Sequence, residues 1–169
     1  SEDPRNIPLA EHVRSLGYEV FMGSENDVLD RYVRAALPHA PETVVRITGD
    51  CPLIDPAVVD RVIAAYEESS VDYMSNFAPP TYPDGLDTEV FSFAALQRSA
   101  GETQAPRDRE PATPYLRESG QFTTASVSNP VDCSSERWTV DEPSDFEVVE
   151  AVFGHFHPRT DFSWEEVLA

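Results

Sequence analysis

The chain has 169 residues, 40% of them hydrophobic and 10% aromatic, which is enough for a sizeable core in one domain and argues against disorder despite 15 prolines. Its 31 acidic residues face 12 basic ones, all of them Arg, for a formal net charge of −19, and so acidic a surface excludes nucleic acid as a partner. No run of about 18 apolar residues is present to span a membrane, and the first residues are neither basic nor apolar as a secretory signal requires.

In chain order, residues 7–16 place Leu9, Val13 and Leu16 on one helical face, and Gly17 suits the position just past a helix. Tyr18-Glu19-Val20-Phe21 reads as a short strand. A turn at 23–26 leads into a helix over 27–37, with Val28, Leu29, Tyr32, Val33 and Ala36 on its buried side. Val44-Val45-Arg46-Ile47-Thr48 is a β-branched run that breaks at Gly49-Asp50, and Asp55-Pro56 is a cap and first turn for a helix over 57–68. Such an alternation of helices and strands predicts a parallel sheet with crossover helices.

Residues 71–76 form the next expected strand, followed by a Pro-rich loop ending in Tyr82-Pro83-Asp84-Gly85, whose Pro and Gly suit the second and fourth positions of a type I turn. Alternation over 86–91 predicts a strand with Asp87 and Glu89 on one face, about 7 Å apart. Ser92 can cap a helix to about Gly101, a polar connector covers 102–108, and Pro111 and Pro114 confine a helix over 109–119 to its end. Residues 121–128 and 137–141 are strand-like. Pro143 and the acids around it open a helix, and Ser163-Trp164-Glu165-Glu166 has the pattern of a capping box.

The chemistry-bearing residues are carboxylates. Cys51, Cys133 and the serines sit in no nucleophile elbow, and no Gly-rich phosphate loop occurs. The two cysteines lack metal-ligand spacing and read as reduced thiols of a cytoplasmic protein. His155 and His157, two residues apart, would point to different faces of a helix and are not expected to form a metal pair. What recurs is a strand ending in Asp and followed by a Pro-opened helix, at Asp50 and again at Asp141. Carboxylates at one sheet edge can make a hard-cation site of the kind Mg²⁺ uses to hold a nucleoside triphosphate. The rival reading of Asp50 is a turn residue bonded to its own backbone. Asp87 and Glu89 are open between a solvated face and a site for a polyol or a metal.

Three segments carry a resemblance: Arg46-Ile47-Thr48-Gly49-Asp50-Cys51-Pro52-Leu53-Ile54-Asp55, Tyr82-Pro83-Asp84-Gly85-Leu86-Asp87-Thr88-Glu89-Val90-Phe91, and Arg137-Trp138-Thr139-Val140-Asp141-Glu142-Pro143-Ser144-Asp145-Phe146-Glu147. In that order they resemble the spore-coat polysaccharide biosynthesis protein F family of cytidylyltransferases, relatives of the CMP-sialate and CMP-3-deoxy-manno-octulosonate synthetases. The resemblance implies an α/β fold, a three-layer Rossmann-like nucleotidyltransferase of the glycosyltransferase-A type with a mostly parallel mixed sheet. It implies Asp50 and Asp141 as catalytic Mg²⁺ ligands, and Arg46, Thr48, Asp87, Glu89, Arg109 and Arg137 as substrate-binding residues. Pro111 stands where a related Arg-Glu-His-x-Thr-Pro-Tyr motif has His.

The implied reaction is attack of a sugar hydroxyl, that of an ulosonic acid, on the α-phosphate of CTP with release of pyrophosphate. A homodimer is consistent with the family. Family members open with a strand and a basic, Gly-containing loop that holds base and triphosphate, and this sequence begins after it. The expectation is therefore a single domain over 1–169, lacking its first strand–helix unit and cut short at its C-terminus, that does not turn over CTP as written. Two rivals stand beside this reading: a nucleotide-sugar-dependent glycosyltransferase on the same fold, and a non-catalytic interaction domain. The charge also predicts adaptation to high salt, since near 1 M the Debye length is only about 3 Å and self-repulsion is screened; the alternative is an acidic enzyme from an Arg-biased genome.

Overall fold

The computed structural model describes residues 1–169. Its helices are α1 (Ile7–Ser15), α2 (Val28–Ala36), α3 (Pro56–Glu67), α4 (Phe93–Glu102), α5 (Pro106–Arg109), α6 (Pro114–Glu118), α7 (Pro143–Phe156) and α8 (Trp164–Leu168). The strands are β1 (Thr43–Arg46), β2 (Tyr73–Ser75), β3 (Glu89–Ser92) and β4 (Thr124–Ser126), in one sheet of order β1-β3-β2-β4. β2 and β4 run parallel, with Tyr73 opposite Thr124, Met74 opposite Ala125 and Ser75 opposite Ser126. A parallel pair between strands this far apart in the chain requires a crossover connection.

Helix starts are set locally. The carboxylates of Asp27 and Asp55 and the hydroxyl of Ser92 each accept a backbone N–H of the first turn, at 3.0, 2.7 and 3.0 Å. Glu142 with Asp145, and Ser163 with Glu166, close capping boxes at α7 and α8. The caps at Asp55, Ser92 and Ser163 fall where the sequence places them, while Asp27, expected inside its helix, caps it instead.

Strands depart from expectation wherever they need a distant partner. Tyr18–Phe21 joins no ladder, and residues 137–141 form only an isolated bridge between Arg137 and Asp84. β3 begins at Glu89 rather than 86, because residues 86–88 are held by a side chain instead of a neighbouring strand. The connector expected over 102–108 contains α5, opened by Pro106. On α1 only Ala10 is buried, while Leu9 and Leu16 are exposed.

The chain divides into two compact units, residues 1–44 with 91–123 and residues 45–90 with 124–169. In the first, α2 packs on α4 and α5, with Leu29 and Leu96 fully buried. The second has two apolar clusters. One joins Leu53 and Val58 to Tyr82, Leu86, Trp138, Val149 and Trp164; the other joins Val62 of α3 to Met74 of β2 and Val90 of β3.

Candidate functional site

In the second unit, the first of three loops runs from the end of β1 to α3 and carries Thr48, Asp50 and Cys51. Asp55 fixes its far end twice over: one oxygen caps α3 at Ala57 and the other accepts the Trp164 N–H at 2.8 Å. The Thr48 hydroxyl and the Cys51 sulfur are 3.0 Å apart. A hydrogen bond from Thr48, aided by the Asp50 backbone N–H, the Cys51 thiol and nearby Arg46, outweighs burial and holds the Asp50 carboxyl below its ordinary range. Burial, reinforced by Asp50 and Asp87, pushes the Cys51 thiol up to about 11, so it is no nucleophile at neutral pH.

The second loop is residues 82–88. The Leu86 N–H bonds back to the Pro83 carbonyl at 3.2 Å, so the turn is 83–86, one residue later than expected. Gly85 therefore stands in its third position, at φ +112°, a region that favours glycine. A Cβ there would lie 2.9 Å from the Trp138 carbonyl carbon, so the third loop, 136–142, can approach only because residue 85 is Gly. The Asp84 N–H donates to Glu136 at 2.9 Å, and the Trp138 N–H donates to Asp84 at 2.7 Å. Two residues on, the Val140 N–H donates to the Asp50 carbonyl at 2.9 Å. That bond brings the residue preceding Asp141 against Asp50, closing the three loops on one another.

Asn76, just past β2, grips both sides of Asp87. Its amide donates to the Leu86 carbonyl and its oxygen accepts the Thr88 N–H, each at 2.8 Å. Asp87 is thus presented half-buried, and burial, with Asp84, Glu89 and Asp50 nearby, raises its pKa to about 6 against the pull of Arg46.

Its expected companion behaves differently. Glu89 is buried, ion-paired to Arg46 and accepting the Tyr73 hydroxyl at 2.7 Å, so its carboxylate is committed inside the protein. β3 is buried on both faces, so Glu89 is not presented to solvent as Asp87 is. Arg109 belongs to the first unit. Its guanidinium is spent on Asp27 at 2.7 Å and on the carbonyls of Ala100 and Thr103, so it holds α2 to α5.

Arg137 faces three carboxylates: Asp141 at 2.5 Å, Asp145 at 2.8 Å and Asp84 at 3.8 Å. Asp145 also accepts the N–H groups of Asp141 and Glu142, both at 2.9 Å, and these with Arg137 keep its pKa below the ordinary carboxylate range. No three His, Cys, Asp or Glu residues gather into a ready cage for a metal. Mg²⁺ needs few protein oxygens when phosphates and water complete its coordination, and the loops that carry the carboxylates of Asp50 and Asp141 are joined by the bond from Val140 to Asp50.

Residues 6–151 match the cytidylyltransferase family. The chain belongs to that family. It is 30% identical over 165 residues to the spore coat polysaccharide biosynthesis protein SpsF of Bacillus subtilis, covering 95% of this chain and 67% of that protein. It is 32% identical over 151 residues to an uncharacterised protein of Methanocaldococcus jannaschii, covering 88% of this chain and 61% of that one. The chain thus spans about two thirds of the length of these curated relatives. A solved cytidylyltransferase from Leptospira borgpetersenii superposes with a TM-score of 0.92 at 29% identity, over 99% of this chain and 71% of that one. A CMP:2-keto-3-deoxy-manno-octonic acid synthetase solved with CTP gives 0.61 at 16% identity, over 90% and 78%, a likeness of fold. The fold is the Rossmann-like nucleotidyltransferase fold.

In this cytidylyltransferase chain the structure adds three residues that sequence reasoning missed. Asn76 positions Asp87, Asp145 anchors Arg137, and Asp84 joins the second loop to the third. Asp145 carried a signal as the third residue of a Pro-opened helix, the place for a capping-box acid. Asn76 carried none beyond its place at a strand end.

Proposed function

We propose that this cytidylyltransferase acts on CTP and a sugar, an ulosonic acid, in the making of a surface polysaccharide or glycan. The observation that supports it most is the hydrogen bond from Val140 to Asp50, because it draws together the loops bearing the two carboxylates. In the proposed reaction a sugar hydroxyl oxygen attacks the α-phosphorus of CTP. The bond from that phosphorus to the bridging oxygen breaks, pyrophosphate leaves with the electron pair, and the hydroxyl proton is lost to solvent.

Asp50 and Asp141 are assigned to hold Mg²⁺, which when bound neutralises charge on phosphate oxygens. The rest of the work is positioning by the chain. Arg137 offers a forked donor for the sugar's carboxylate, while Arg46 is taken up by Glu89 and supports the site. Asp87 accepts a hydrogen bond from a sugar hydroxyl, and the Thr48 hydroxyl oxygen, whose proton goes to Asp50, accepts one from the substrate. Glu89 serves the site by holding Arg46 and Tyr73 in place. Action in the cytoplasm, supported by the buried free thiols of Cys51 and Cys133, and assembly as a homodimer belong to the same proposal.

Pyrophosphate release by the full-length protein, given each of the four nucleoside triphosphates with Mg²⁺ and a panel of sugar acids, tests the reading. CTP with an ulosonic acid is expected to be the productive pair, and Asp50→Asn to lower turnover by about a hundredfold or more. Release of a nucleoside diphosphate from a nucleotide sugar, or no effect of Asp50→Asn, overturns it.

A further inference from the structure

Of the carboxylates assigned to the cation, Asp141 is already occupied. The Arg137 guanidinium donates to one of its oxygens at 2.5 Å, and the Thr139 hydroxyl approaches the same oxygen at 3.4 Å. Arg137 does not depend on that contact for its place. A second arm donates to Asp145 at 2.8 Å, and Asp145 is itself pinned by two backbone N–H groups and leaves only 16% of its side chain exposed. Asp84 lies on its third side. The contact with Asp141 is the exposed one, with 46% of the Arg137 side chain and 58% of the Asp141 side chain open to solvent.

We propose that Arg137 is a positioning residue, the internal counter-ion of the cation site, and that a divalent cation must displace its guanidinium from Asp141 while Asp145 keeps the arginine beside the site. The inference rests on the assignment of Asp50 and Asp141 to the cation. Two physical facts support it. An exposed Arg–carboxylate pair is weakly held because water can replace either partner, so it can open at little cost. The arm on Asp145, a charge-assisted bond to a carboxylate already fixed by the backbone, stays closed. Opening frees that arm for whatever anion the cation brings.

The test is Mn²⁺ affinity of the whole chain, read by electron paramagnetic resonance without nucleotide at physiological ionic strength. Asp50→Asn and Asp141→Asn separate the site from general binding to an acidic surface. Arg137→Gln is expected to tighten Mn²⁺ binding about threefold to tenfold, because the competitor is gone. Arg137→Lys, which keeps the charge but loses the fork, is expected to fall between the two. In the unaltered chain, Mg²⁺ should shift the Arg137 Nε resonance, and the Asp141→Asn variant should show no such shift. If Arg137→Gln and Arg137→Lys bind no more tightly while Asp50→Asn and Asp141→Asn abolish binding, the cation assignment stands and the counter-ion role is refuted. If neither Asp variant changes Mn²⁺ binding, the assignment itself fails and takes the inference with it.

Discussion

Arg46 and Arg137 lie in the same compact unit, and each is held by carboxylates, yet burial gives them opposite roles. Arg46 and Glu89 keep 19% and 2% of their side-chain surface, and Tyr73 closes the remaining oxygen of Glu89. Arg137 and Asp141 keep 46% and 58%. Water cannot take the place of a missing partner in the first pair, and it readily does so in the second. A buried pair therefore belongs to the fold, because breaking it strands a charge. An exposed pair can be exchanged for a ligand, which is what a binding site requires.

The sharpest way to break this contrast is to remove Glu89. Glu89→Ala leaves Arg46 largely buried without its carboxylate and Tyr73 without its acceptor, and stability should fall by about 3–5 kcal/mol in urea unfolding at pH 7. A loss below about 1 kcal/mol would mean that the pair is as replaceable as the one at Arg137.

Asp87 lies between these extremes, and its effect has the opposite sign. Its folded pKa of about 6 stands above the ordinary 3.8, so the folded state holds a proton that the unfolded chain gives up. The carboxylate thus costs nothing below about pH 3.8, and the penalty grows as pH rises and is complete above about pH 6. Asp87→Asn should stabilise the protein by about 2 kcal/mol at pH 8, after allowance for its partial exposure, and by little at pH 4. The same variant should lower activity if Asp87 meets the sugar. A carboxylate kept at a stability cost, with Asn76 gripping the backbone on both sides, is expected where function needs it. Equal gains at pH 4 and pH 8 would dissociate the stabilisation from its titration.

The contrast between Arg46 and Arg137 also marks what could be read in the sequence. Helix starts were legible at Asp55, Ser92 and Ser163, because a cap is a contact between residues two or three apart. The three motif segments were legible as a set, and the structure joins them through Asp84 with Trp138 and Val140 with Asp50. Period two could place Asp87 and Glu89 on one face but could not say that both faces of β3 are covered, so Glu89 was expected in a substrate pocket rather than in the core. Tyr18–Phe21 and residues 137–141 have strand composition, but a strand exists only where another strand lies beside it, and pattern alone does not supply the neighbour. Arg109 looked available for the same reason. Its partner Asp27 is 82 residues away in the chain, beyond the reach of any local pattern.

Salt should give the smallest effect and the finest separation. At a net charge of −19 the folded chain repels itself, and raising NaCl from about 0.1 M to about 1 M shortens the Debye length from about 10 Å to about 3 Å. Stability of the unaltered protein should rise over that range, as adaptation to high salt predicts, and a flat response would end that idea. The variants sharpen the point. The loss in Glu89→Ala should be nearly the same at both salts, since a buried pair is poorly screened. The gain in Asp87→Asn at pH 8 should shrink, because Asp84, Glu89 and Asp50 supply part of the penalty by repulsion that ions can screen, while the part due to burial stays. A Glu89→Ala loss that fades with salt would place that pair in solvent and remove the distinction drawn between Arg46 and Arg137.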